Sequence, residues 1–473
     1  YPLYSNVRAR IISMPEVAVG AVIEYKARLV QTKLPNKKDF DVVFWLQTDE
    51  PILRERFRVT VPRDRQLATK IVNSLYNTFG YDMNPVVTEQ GSSRVYQVSF
   101  ERVPQIIPEP AMPPGSRINP YILFSSFSSW QDVYLWWRAL AKDKAAADEA
   151  IRAKALLLAQ GQQSVEDKIR AIYNFCAQDI RYVAVEYGDA GYEPHSAAEI
   201  FANKYGDCKD KVILLLAMLD AVGIQAYPVL ISTQDSLDLQ KDVPSLVFNH
   251  AIAAVKVADK LVFMDATAST VPWGSLPPGD QDRDVLVFFP DHYEILRTPA
   301  SGPGENRILT ELRLKVADDK SVSAERLVTA RGVYEHMQRY WLRYTMPSLV
   351  EEELKQKVRS FADNAVLTGY KISGVEDLDT PIALSYTFTA PRYLTQAAGT
   401  YVVDKLGALD TTPVFAQARR YPIEESCLKE KEDVIDIELP GHLAVKYLPK
   451  PVSVQTPWFD LKSAYEVVPG HGI

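Results

Sequence analysis

Three side chains near the middle of this sequence could together break an amide bond. They are Cys208, His250 and Asp265, the first two 42 positions apart and the last two 15. A thiolate is a strong nucleophile, an imidazole can take up and return a proton, and a carboxylate behind the ring fixes its tautomer. Such a set performs acyl transfer through a covalent thioester. Singly, each residue has a plainer reading: Cys208 as a first-turn core cysteine, His250 as a satisfied strand histidine, Asp265 as a turn cap before Thr267. Their joint order, and the elements that must carry them, make the case.

The run Tyr205-Gly206-Asp207-Cys208-Lys209-Asp210-Lys211 leads directly into Val212–Leu219, an apolar helix. Gly206 suits a tight entry, Asp207 suits the N-cap, and Cys208 then falls at the first helical position. The partial positive charge at a helix start favours thiolate over thiol. Gly223 is expected just past the end of this helix. His250 opens the apolar strand 251–255, and Asp265 closes a second strand, Leu261–Met264, after the polar turn Ala258-Asp259-Lys260. A short turn between sequential strands predicts a hairpin, which would set imidazole beside carboxylate.

These residues, with the stretches Tyr192–His195, Gly206–Lys211 and Gly223–Ala226, resemble the transglutaminase-like superfamily of papain-related cysteine enzymes. The likeness is specific over about 160–275, and bacterial members with a β-rich domain of unknown function upstream fit best. The resemblance implies a Cys208–His250–Asp265 catalytic set acting on a peptide or protein substrate. It favours hydrolysis over amine transfer, and implies an extracytoplasmic, periplasmic setting. Protein-glutamine acyl transfer is the alternative, as is a non-catalytic peptide- or glycan-binding module on an inactive core. Tyr205, Trp273, His195 and Asn249 are further candidates for contacting substrate. His195, just before a helix, also has an ordinary structural reading, as does Trp273 as a surface anchor for its loop. The Cys208 backbone N–H is one candidate oxyanion donor, and the sequence identifies no second.

Composition sets the limits. A chain of 473 residues is too long for one core. A net charge of −7, without a basic run, argues against a nucleic-acid partner. No apolar stretch approaches the roughly 20 residues of a membrane-spanning helix. Cys176, Cys208 and Cys427 do not read as a disulfide scaffold, and Cys176 lies on the apolar stripe of a helix. His336 and His442 have no partners at metal-ligand spacing, so neither a metal nor a cofactor is expected. The chain begins Tyr1-Pro2-Leu3 without an initiator Met or leader, as expected of a processed or trimmed chain.

The fold class expected is α+β: a papain-like core between an N-terminal β-sandwich-like domain and a C-terminal β-rich domain with helical insertions. The boundaries are 1–108 for the first, possibly shortened, domain, 109–140 for a proline- and aromatic-rich linker, 141–300 for the core and 301–473 for the last domain. Alternation of apolar and polar residues predicts strands over 7–12, 22–30, 40–46, 54–61 and 94–100. Ser164 and Ser196 mark helix starts, and the Ala-rich run 143–160 another helix. Trp130, Trp136 and Trp137 read as packing anchors.

Overall fold

The computed structural model describes residues 11–31, 34, 36–184, 191–391, 393–403 and 418–468. The first part of the strand expected at 7–12 lies outside this set, as do residues 185–186 of a strand that the sequence also predicts over 181–186 and residues 188–190 of a loop that it predicts over 188–192. The chain is α+β and divides into two units: 1–108, 113–269 and 282–298 form one, and 109–112, 270–281 and 299–473 the other.

The first unit opens with two three-stranded sheets. In one, Tyr121–Ser125 runs between Asp41–Trp45 and Ala68–Val72; in the other, Ser93–Val103 runs between Ile52–Pro62 and Val86–Gln90. Their apolar faces share a core of Phe44, Val61, Tyr96, Val98, Phe100, Ile122 and Phe124. Phe44 stacks on Phe100 with ring centres 5.6 Å apart. The opposite face of Tyr121–Ser125 is also covered, Tyr121 and Leu123 packing with Val243 and Val247.

Two sequence expectations change here. Val22–Val30 alternates like a strand but is irregular and exposed, because alternation yields a strand only where a sheet accepts it. The segment 109–140, expected as a linker, holds the buried strand Tyr121–Ser125 and the helix Trp130–Ala141. The proline run stops at Pro120, and nothing after it blocks regular structure. Trp137 packs on Phe288 at 4.7 Å between ring centres, and the Trp130 indole donates to the Lys241 carbonyl.

Beyond this lies a five-stranded antiparallel sheet in the order Lys260–Met264, His250–Val257, Ala226–Ile231, Asp284–Phe288, Tyr293–Arg297. The helix Cys208–Asp220 packs on its central strands, and Glu149–Ala159, Val165–Gln178 and Ala197–Asn203 pack around that helix. Ser164 and Ser196 cap two of these helices as expected. The Ala-rich helix begins later than predicted, at Glu149, where Asp148 accepts a hydrogen bond from the Ile151 N–H.

The second unit is built on a five-stranded sheet ordered Val366–Ser373, Ala383–Ala390, Val322–Ala330, Arg307–Val316, Glu430–Glu438, the last pair parallel. Residues of the helices Val333–Tyr344 and Pro347–Arg359 share its core, Leu342 and Leu354 with Leu384 and Phe388 among them. Fully buried Arg339 donates to the carbonyls of Val375, Asp377 and Thr380 and pairs with Glu335. Among the described residues, no helix is long and apolar enough to cross a membrane.

Candidate active site

Cys208 is the first residue of its helix and is buried. The chain reaches it through Lys204, left-handed at φ 59°, and then Tyr205–Gly206, paired in parallel with Arg181–Tyr182. Gly206 is required there by close packing: a Cβ would lie 2.6 Å from the Asp210 Cβ. Asp207 is the N-cap. It accepts from the Asp210 N–H at 3.2 Å, and Asp210 in turn accepts from the Asp207 N–H at 3.2 Å. This reciprocal box satisfies two donors at the head of the helix. Asp207 also pairs with Lys209, both side chains buried. Burial and the neighbouring Asp210 push the Asp207 carboxyl up, against the pull of the Lys209 ammonium.

His250 is the first residue of its strand, and the register sets it toward Asp265. Ala253 stands opposite Met264, so the next position along each strand brings Ile252 beside Asp265. His250, two residues from Ile252, shares its face and lies diagonal to the acid. The hairpin turn, Ala258-Asp259, is shorter by one residue than expected. His250 Nε2 lies 3.2 Å from Asp265 Oδ2. A carboxylate only accepts, so Nε2 carries the proton of this bond, and exchange with a nucleophile runs through Nδ1.

Asp265 is buried and held from several sides. The Thr267 N–H donates to Oδ1 at 2.8 Å, and the Thr267 hydroxyl lies 2.7 and 2.9 Å from the two oxygens. The Tyr173 hydroxyl donates to the Asp265 backbone carbonyl at 3.0 Å. Burial opposes the charge on Asp265, but His250 and the Thr267 donors outweigh it and hold the carboxyl below its ordinary 3.8. An ionised acid behind the ring stabilises an imidazolium.

Two family models match. Residues 1–107 match a domain of unknown function, DUF3857, and residues 152–266 match the transglutaminase-like superfamily. Residues 152–266 thus carry a transglutaminase-like core. Among solved structures, a protein provisionally described as a protease from Parabacteroides distasonis is 12% identical, covering 74% of this chain and 69% of its own, with a TM-score of 0.47. A provisionally described cysteine protease from Cytophaga hutchinsonii is 13% identical over 48% of this chain and 75% of its own, at 0.23. The periplasmic domain of TgpA from Pseudomonas aeruginosa is 14% identical over 47% and 73%, at 0.20. No curated protein matches.

The other sequence candidates differ in their surroundings. His195 is tied to the head of the Cys208 helix: its N–H donates to Asp210 Oδ1 at 2.8 Å, and its Nδ1 lies 3.1 Å from Oδ2. Tyr205 is 40% exposed beside Gly206. Asn249 is occupied by Thr233, accepting from its N–H at 2.9 Å and donating to its hydroxyl at 2.8 Å, which locks the strand entry before His250. Trp273 belongs to the second unit, in a turn with Gly274 at φ 85°. Cys176 is fully buried 3.8 Å from the Met218 sulfur, and burial pushes its thiol up to about 12. The turn cap by Asp265 before Thr267 was one of the readings the sequence offered, but Tyr173, Asp210 and Lys211 were missed. Of these three, only the position of Asp210, three residues after an N-cap Asp, carried a local signal.

Proposed function

We propose that this protein is a cysteine enzyme of the acyl-transfer class that hydrolyses a peptide-type amide, with Cys208 as nucleophile, His250 as base and Asp265 as the group orienting the base. The observation that carries this reading is the pairing of half-buried His250 with buried Asp265 on one face of a hairpin whose first strand packs against the helix headed by Cys208. In the first half-reaction the Cys208 thiol gives its proton to His250 as the sulfur adds to the amide carbonyl carbon. The carbon–nitrogen bond then breaks, and the amine leaves with a proton from His250. In the second, His250 takes a proton from water as its oxygen attacks the thioester, releasing the acid and the thiol. The Cys208 backbone N–H, at a helix start and without an intrahelical acceptor, suits the developing oxyanion. An extracytoplasmic site of action is part of this reading.

The test is turnover of glutamine-containing peptides by the parent protein and by Cys208→Ser, with and without a primary amine. Release of free acid by the parent alone supports hydrolysis. Amine incorporation would shift the reading to acyl transfer between proteins, and equal activity in both proteins would remove it.

A further inference from the structure

Lys211 is the fourth residue of the Cys208 helix and is 1% exposed. Its ammonium donates to the Ile180 carbonyl at 2.6 Å and the Ala177 carbonyl at 3.3 Å. Ala177 lies in the last turn of the helix Val165–Gln178, where carbonyls have no intrahelical donor and the helix dipole is negative. One turn earlier on that helix, Tyr173 holds the backbone of Asp265. A single helix is thus fastened at its end to the nucleophile helix and at its middle to the orienting acid. It acts as a strut between Cys208 and Asp265.

Taking an ammonium out of water is costly, and here backbone carbonyls rather than a bonded counter-ion receive it. Its use here calls for a reason. Burial draws the Lys211 ammonium down to about 8, while Cys176 on the strut helix and Asp265 after the second hairpin strand act in the opposite direction.

Resting on the acyl-transfer reading above, we infer that Lys211 is a positioning residue: by holding the carbonyls at the end of the strut that supports Asp265, it sets the nucleophile helix against that acid. The test is alkylation of the native protein by iodoacetamide across pH, with Cys208 labelling quantified by mass spectrometry and melting followed by circular dichroism. In Lys211→Met, which keeps the length and loses the donors, melting falls only modestly, as two unpaired carbonyls require, while Cys208 labelling at about pH 6 slows roughly tenfold. Superimposable labelling profiles would overturn the inference and leave the acyl-transfer reading standing. Should Lys211→Met fail to fold, Tyr173→Phe cuts the strut at its other attachment and must slow labelling in the same direction; an unchanged profile there overturns it equally. A parent in which Cys208 labels no faster than Cys427 removes the acyl-transfer reading, and this inference with it.

Discussion

His250 and Asp265 meet diagonally across a two-residue hairpin, Nε2 to Oδ2 at 3.2 Å, with the carboxylate buried and its other oxygen held by Thr267. Asp265→Asn keeps the shape of the acid but can present an amide donor to Nε2, favouring the wrong tautomer. Turnover should fall about 10³–10⁴-fold with the fold intact. Steady-state rates with a circular dichroism melt check this. A loss smaller than about tenfold would place Asp265 outside the mechanism.

Thr267→Val removes the hydroxyl from Asp265 and leaves the backbone N–H in place. Because Asp265 is held below 3.8 in the folded protein, its charge adds stability above that pH, and the contribution is lost as pH falls through the folded value. Weakening the grip raises the folded value toward 3.8, so the variant should unfold at higher pH on acidification. Its stability at neutral pH should drop by about 1–3 kcal/mol. Acid and urea titrations measure both, and an unmoved acid midpoint contradicts the assignment of Thr267.

At the head of the Cys208 helix, Asp207 both caps the backbone and pairs with buried Lys209. Asp207→Ala should cost about 1–2 kcal/mol for the cap, and about 3–5 kcal/mol more for the ammonium left alone. Asp207→Ala combined with Lys209→Met should recover most of the second amount. Urea unfolding of the two variants tests this; equal stability of both would show that the pair contributes nothing.

Gly206→Ala forces a Cβ to within 2.6 Å of the Asp210 Cβ, and Asp210 cannot yield without loosening both the capping box and His195. Destabilisation of about 1–3 kcal/mol is expected, together with slower alkylation of Cys208. A variant as stable as the parent would mean that this packing relaxes freely.

The Cys208 helix and the hairpin were legible in the sequence because their signals are local: a glycine and cap before an apolar run, and two short apolar runs around a polar turn. The strand Tyr121–Ser125 was not, since its sheet partners, Asp41–Trp45 and Ala68–Val72, lie far away along the chain and no hairpin turn marks it. Val22–Val30 shows the converse, a pattern of alternation that meets no sheet partner among the described residues. The supports of Asp265 were hidden for a third reason. Tyr173 lies 92 residues away along the chain, and Lys211 looks like any lysine in the first turns of a helix. Partnerships formed only in three dimensions leave no spacing to read.

Alkylation of Cys208 by iodoacetamide, in the parent and in His250→Ala, bears most directly on the central claim that this sulfur is a nucleophile served by this imidazole. The parent is predicted to label faster at Cys208 than at Cys427, while fully buried Cys176 stays unlabelled and His250→Ala slows Cys208 severalfold. Labelling of Cys208 no faster than that of Cys427, and equal in the two proteins, would contradict it.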